Sequence, residues 1–273
     1  MGLLPNRWRR LLLAGSCTFA VLACVPAGAA DVLAEAKTRG HLRVAMEGSY
    51  PPFSFLDPKT GQMTGYDADV ARLLGMQLGL PVEIVTTEWA DIFAHLAEGR
   101  YDVIVSQVSV TPARRQLFDF STPYTYSRPQ LILRSNERAV YTGLAALKGR
   151  TIGVARGTIY EAQAHAVPGI RVRSYPAAPE TLQDLAFGRI DAALNDSLMV
   201  SYLVQNATLP IKAGPLVGAG VQAAVTFRKG DPALKAAVDG ALGRLQADGS
   251  LSKVARKWFG VDVSRPGQPA ARP

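Results

Sequence analysis

Two side chains of opposite charge stand at places in this 273-residue chain where they would do chemistry together. Arg114 closes the stretch Ser109-Val110-Thr111-Pro112-Ala113-Arg114, and Asp196 closes Leu194-Asn195-Asp196. A guanidinium is a planar fork that meets a carboxylate through two parallel hydrogen bonds, and a carboxylate accepts from an ammonium. Facing each other across one cleft, the two would hold both ends of a free α-amino acid. Further polar residues cluster at three other points: Glu47, Gly48, Ser49 and Tyr50; Ser106, Gln107 and Ser109 ahead of Arg114; and Arg156, Gly157 and Thr158. Tyr50 and Trp89 would add aromatic walls. Each residue also has a plainer reading. Arg114 and Arg115 can be an exposed pair, Asp196 can cap a helix that begins at Ser197, and Tyr50 and Trp89 can be ordinary packing. Other chemistries find no support. His41, His95 and His165 lack metal-ligand spacing, and there is no Gly-x-Ser-x-Gly and no Cys-His pairing. Gly218 to Ala223 matches a dinucleotide fingerprint in letters only, because a strand follows it instead of a helix. No catalytic residue, metal or cofactor is assigned.

The elements that must carry these residues alternate. Strands are predicted at 42–46, 82–86 and 103–105, with helices at 67–78 and 90–98 between them. The order then restarts with strands at 151–155, 171–174 and 192–194 and helices at 160–166, 179–187 and 197–205. Alternation of this kind gives βα units and mainly parallel sheets. Leu96-Ala97-Glu98-Gly99-Arg100-Tyr101-Asp102 matches Leu185-Ala186-Phe187-Gly188-Arg189-Ile190-Asp191 in five of seven positions, and Val44-Ala45 before Gly48-Ser49 echoes Val154-Ala155 before Gly157-Thr158. Two matches in the same order point to two related α/β lobes. All four polar clusters then fall at the carboxyl ends of strands, where open parallel sheets bind ligands. Asp102 and Asp191 precede their strands and read as structural. A strand at 221–227 leads into a helix capped by Asp231-Pro232 and a last helix capped by Ser250, both expected to cover the first lobe. The expected organisation is 31–125 and 223–263 for one lobe, 126–222 for the other, and a disordered tail at 264–273.

Composition is near the globular average, with 48% hydrophobic and 19% charged residues and a mean hydropathy of +0.08, which argues against a disordered or multi-span membrane chain. Arg7, Arg9 and Arg10 precede an apolar run from Leu11 to Val25, followed by Ala27, Gly28, Ala29 and Ala30. This is an export signal over residues 1–30, too short and wrongly flanked for a membrane span. Its removal takes both cysteines, Cys17 and Cys24, and lowers the formal charge from +8 to +5, since it holds three arginines and no acid. Val21-Leu22-Ala23-Cys24 is an imperfect lipoprotein-type site, so a lipid anchor at Cys24 is one alternative, and Trp8-Arg9-Arg10 carries a weak twin-arginine signal. Basic residues never run longer than two together, which disfavours nucleic acid as a partner.

From Leu42 to Val263 the chain resembles the type 3 extracytoplasmic solute-binding proteins of amino-acid ABC importers. The resemblance rests on Gly48-Ser49-Tyr50-Pro51-Pro52-Phe53, Gly65-Tyr66-Asp67-Ala68-Asp69, Ser109 to Arg114, Asp119-Phe120-Ser121-Thr122-Pro123-Tyr124 and Lys257-Trp258-Phe259-Gly260, in this order. It implies the two-lobed periplasmic-binding-protein fold with a hinge, a monomer outside the cytoplasmic membrane, and permease subunits as partners. By resemblance Arg114 clamps the α-carboxylate with the Thr158-Ile159 backbone, Asp196 and the Ser109 hydroxyl take the ammonium, and Tyr50 and Trp89 sandwich the side chain. Ser106-Gln107-Val108, Leu194-Asn195-Asp196 and Glu47 to Tyr50 are most similar to the cystine-binding branch, although that branch has Asn where Ser106 stands. Glu47 also occurs in arginine- and lysine-binding relatives. Cystine is therefore ranked first, basic amino acids second and other polar amino acids third, with an exported cyclohexadienyl or arogenate dehydratase of the same fold as the enzymatic alternative.

Overall fold

The computed structural model describes residues 31–206 and 209–267. The export signal, Cys24 and residues 268–273 lie outside the described residues. The chain begins with α1 (Val32–Arg39), β1 (Leu42–Met46), three short strands β2 (Ser49–Tyr50), β3 (Ser54–Leu56) and β4 (Met63–Thr64), α2 (Tyr66–Leu78) and β5 (Val82–Thr86). A 3-10 turn at Trp89–Asp91 precedes α3 (Ile92–Ala97), β6 (Val103–Ile104), α4 (Pro112–Leu117) and β7 (Phe118–Ser127). The middle of the chain supplies β8 (Pro129–Arg134), a 3-10 turn at Leu144–Leu147, β9 (Thr151–Ala155), α5 (Ile159–His165), β10 (Arg171–Tyr175), α6 (Ala178–Ala186), β11 (Ala192–Asp196), α7 (Ser197–Asn206) and β12 (Ile211–Leu216). Then come β13 (Val221–Arg228), α8 (Pro232–Ala247) and α9 (Ser250–Phe259).

Two five-stranded sheets result, in the orders β5-β1-β6-β13-β7 and β10-β9-β11-β8-β12. In each sheet four strands run one way and a single strand, β13 in the first and β8 in the second, runs against them, so the sheets are mainly parallel in direction although two of the four pairings in each are antiparallel. The strands β7, β8 and β12 have no counterpart in the periodicity reading, for a reason visible in β7, where Phe118 to Ser127 alternates poorly and carries Pro123. The two lobes share one topology, with β1, β5 and β6 matched by β9, β10 and β11.

The repeated seven-residue segment performs one job twice. Asp102 donates its N–H to the Arg43 carbonyl, 3.0 Å, and its carboxylate accepts the Arg43 N–H at 2.8 Å. Asp191 exchanges the same pair with Thr151, at 2.8 and 2.7 Å. Each aspartate thus locks the start of its lobe's first strand to the start of the third. Asp102 is also paired with the guanidinium groups of Arg39 and Arg43.

Around the first sheet the core is built from Leu42, Val44 and Met46 on one face of β1, with Val70 and Leu74 of α2 and Leu234, Val238, Leu242 and Leu245 of α8. Ala45 points to the opposite face, against Ile92, Leu96 and Ile104, so β1 is buried on both sides. Asp231 caps α8 through the Leu234 N–H, 2.8 Å, and its other oxygen accepts the Val32 N–H at 2.9 Å. The two last helices cover the first lobe, and the cap of α9 is Gly249, with φ +80°, so that Ser250 is its first helical residue and not its cap. Asp69 of α2 accepts from Lys257 Nζ at 2.7 Å and from Trp258 Nε1 at 2.8 Å, while Phe259 packs on Phe53 and Tyr66. Gly65 lets α2 begin against the Pro52-Phe53 backbone. Its φ is +123°, and a Cβ there would meet the Phe53 carbonyl oxygen at 2.2 Å. Ser264 and Arg265, which composition places in the tail, are held by Asp262 and by Gln246 of α8.

Candidate functional site

The carboxyl ends of both sheets converge on one pocket with about 480 Å³ of non-protein space, part of it open to solvent. Glu47, Tyr50, Trp89, Ser106, Gln107, Ser109, Arg114, Thr158, Ile159 and Asn195 line it, together with Ala155, Tyr160 and Ala178. Ten of the eleven residues singled out from the sequence are therefore in one wall. Asp196 is the exception.

Local structure explains each position. Thr111 caps α4 by accepting the Arg114 N–H at 3.1 Å, and Pro112 starts the helix, which turns Arg114 back toward the strand end. Its guanidinium donates to the Ser109 carbonyl at 2.9 Å and across the lobes to the Gly157 carbonyl at 3.0 Å. It lies 4.9 Å from the Phe93 ring centre and 5.6 Å from that of Trp89. Burial lowers its pKa to about 10, which leaves it charged at neutral pH. Its acceptors are carbonyl oxygens, and it forms no ion pair among the described residues. Such a cation, partly desolvated and facing rings, is a receptor for an anion.

Two more hydrogen bonds join the lobes at the pocket: Tyr50 Oη donates to Asn195 Oδ1 at 2.6 Å, and Trp89 Nε1 to the Arg156 carbonyl at 3.0 Å. Thr158 caps α5 through the Glu161 N–H, 3.3 Å. Glu47 follows β1, its N–H donating to Ser106 Oγ at 3.2 Å and its carboxylate accepting from Ser49 Oγ at 3.1 Å. Burial raises its pKa to about 7, opposed by the Ser49 hydroxyl and reinforced by Glu88 and Glu180. Gln107 has φ +49° and turns its amide nitrogen inward to Asp67.

Asp196 is buried behind this wall. Its Oδ1 accepts the Leu198 N–H at 2.8 Å, which is a helix cap for α7, and its Oδ2 accepts from the hydroxyls of Ser127 and Tyr160, at 2.5 and 3.1 Å. Burial raises its pKa, opposed first by the Ser127 bond and the Leu198 N–H. The capping role weighed in the sequence is present, and the group that reaches the pocket is Tyr160. Sequence reasoning missed Tyr160 because helical periodicity reads it as core. Its place two residues after the Thr158 cap, at a strand end, was the available signal. Burial, with the Asp196 charge next in effect, pushes the Tyr160 hydroxyl well above its ordinary range, so it remains protonated.

Among the described residues no cluster of three or more His, Cys, Asp or Glu could hold a metal ion, and no helix is long and apolar enough to cross a membrane.

Two sheets of one topology, with strand ends turned onto a polar pocket, define a solute-binding protein, and the family model of bacterial extracellular solute-binding proteins, family 3, matches residues 42–261. The chain belongs to that family. It is 37% identical over 235 residues to the L-cystine-binding protein TcyJ of Escherichia coli, covering 86% of this chain and 88% of the relative. The L-cystine-binding protein TcyA of Bacillus subtilis is 35% identical over 236 residues, covering 86% and 87%. Among solved structures, an ancestral amino acid-binding protein described as a precursor of cyclohexadienyl dehydratase is similar with a TM-score of 0.78 and 32% identity, covering 83% of this chain and 99% of that one. The two-lobed fold expected from the sequence is the fold of this neighbour.

Proposed function

We propose that this protein captures a polar L-amino acid outside the cytoplasmic membrane and delivers it, as a monomer, to the permease subunits of an ABC importer. Cystine is the first-ranked ligand and basic amino acids the second. One observation carries the reading: Arg114, a charged group without a protein counter-ion among the described residues, shares a pocket with Glu47, Ser106, Ser109, Asn195 and Tyr160, all able to accept from an ammonium. Arg114 takes the α-carboxylate beside the Thr158-Ile159 backbone. The Ser109 hydroxyl and the Tyr160 oxygen take the α-ammonium, with Asp196 acting through Tyr160, whose hydroxyl already donates to it. Tyr50 and Trp89 flank the side chain. Glu47 and Gln107 meet its far end, which in cystine is a second ammonium and in a basic amino acid a cation. Resemblance to two proteins named for L-cystine supports that order.

We read the protein as extracytoplasmic, free or held by a lipid anchor at Cys24, and without enzymatic activity, since the relatives above are named as binding proteins. The solved neighbour named as a dehydratase precursor keeps one enzymatic test worthwhile, and turnover of prephenate or arogenate would overturn this reading. The binding test is a thermal-shift panel of the twenty amino acids with cystine and ornithine. Cystine should give the largest stabilisation, growing with RT ln(1 + [L]/Kd). A panel without any shift sinks the proposal.

A further inference from the structure

Asp67 belongs to the Gly65-Tyr66-Asp67-Ala68-Asp69 motif, is fully buried, and lies under the pocket wall. Its Oδ1 accepts from Gln107 Nε2 at 2.7 Å and from Tyr124 Oη at 2.9 Å. The Tyr124 oxygen accepts the Gln107 N–H at 3.3 Å, which closes a ring holding Gln107 by main chain and side chain together. The second amide hydrogen reaches Thr125 Oγ1 at 3.2 Å. Both hydrogens of the carboxamide are therefore committed inward. Its oxygen has no protein partner among the described residues and is not sealed from solvent, while Gln107 itself lines the pocket. Two costs are carried at this spot. Gln107 is in the left-handed region, which a non-glycine side chain occupies only where its surroundings over-determine it. Asp67 leaves its Oδ2 buried without a partner, an arrangement that stability alone would not select.

We propose that Asp67 is a positioning residue of the binding site: through its ring with Tyr124 it fixes the Gln107 carboxamide so that Oε1 faces the pocket as an acceptor, selecting ligands that bring an ammonium or other N–H to that point. The proposal deepens the amino-acid reading of the pocket and rests on it for the ligand, although not for the ring.

Calorimetry with cystine and arginine on the wild type, Asp67→Ala, Asp67→Asn, Gln107→Leu and Asp67→Ala/Gln107→Leu tests it. Asp67→Ala should weaken binding about ten-fold, and Asp67→Asn, which keeps an acceptor oxygen for the ring, should restore affinity to within about three-fold of wild type. In the Gln107→Leu background, Asp67→Ala should do nothing more to affinity, whatever it does to thermal stability. Unchanged binding by Asp67→Ala, or an undiminished loss in the Gln107→Leu background, overturns the proposal. If Asp67→Ala does not fold, Tyr124→Phe cuts the same ring without touching a charge, and affinity equal to wild type refutes the idea. A ligand-free readout separates this from the functional reading. The Gln107 side-chain amide resonances, assigned by their loss in Gln107→Leu, should hold their positions in Asp67→Asn and move in Asp67→Ala or Tyr124→Phe. Resonances that do not move overturn the ring even if the wild type binds no amino acid tested.

Discussion

Glu47 and Asp67 are carboxyl groups that burial keeps protonated to about pH 7, against ordinary values of 4.5 and 3.8. A raised acid pKa means that the native state binds more protons than the unfolded chain between those limits, so stability falls as pH rises from 3.8 for Asp67 and 4.5 for Glu47 to about 7. Chemical denaturation of the ligand-free protein across this range should show the decline, and Glu47→Gln should flatten part of it. Affinity for a basic amino acid should run the other way. It should strengthen as pH rises through about 7 and Glu47 gains its charge, and in Glu47→Gln this dependence should vanish; an arginine Kd that is flat from pH 5.5 to 8 in the wild type would remove Glu47 from the far-end site. Arg114 is the largest single term. Leaving a desolvated ligand carboxylate unpaired costs on the order of 3 to 5 kcal/mol, so Arg114→Ala should raise Kd by roughly 10² or more, measured by calorimetry.

At the scale of elements, the same aspartate lock in both lobes makes a controlled comparison. Asp102 is fully buried and holds two guanidinium groups, whereas the Asp191 side chain is 24% exposed and mainly holds one N–H. Asp102→Ala should cost about 2 to 3 kcal/mol, less than a wholly buried network because both arginines reach water, and Asp191→Ala about 1 kcal/mol, by urea unfolding. Equal losses would show that the lock is not graded by burial. Much of this framework is legible in the sequence because it depends on local signals: the βα alternation, the capped start at Asp231, and the repeat ending in Asp102 and Asp191. The strands β7, β8 and β12 are not legible, since their pairing is long-range and their residues alternate weakly. For the site, strand-end position is what brings ten of the named residues to one pocket. Whether Asp196 or Tyr160 meets the pocket depends on side-chain direction at the β11–α7 junction, which spacing does not encode.

For the molecule as a whole, the chain passes between the sheets at Arg128, between β7 and β8, and again between β12 and β13. Two crossings leave a hinge as the natural mode of motion, with Tyr50, Trp89 and Arg114 reaching the opposite lobe. The described residues hold two tryptophans, Trp89 in the cleft and Trp258 bonded to Asp69 in the first lobe. Ligand addition should change the intrinsic fluorescence, and Trp258→Phe should keep that change while Trp89→Phe abolishes it. A signal that survives in Trp89→Phe would move the closure elsewhere. The uncompensated guanidinium of Arg114 also bears on handling. A site of this kind scavenges whatever matching zwitterion the growth medium or cell provides, and a binder that releases slowly will carry that passenger through chromatography. Protein purified without an unfolding and refolding step should therefore yield a stoichiometric small molecule to mass spectrometry, and its mass names the natural cargo more directly than any titration.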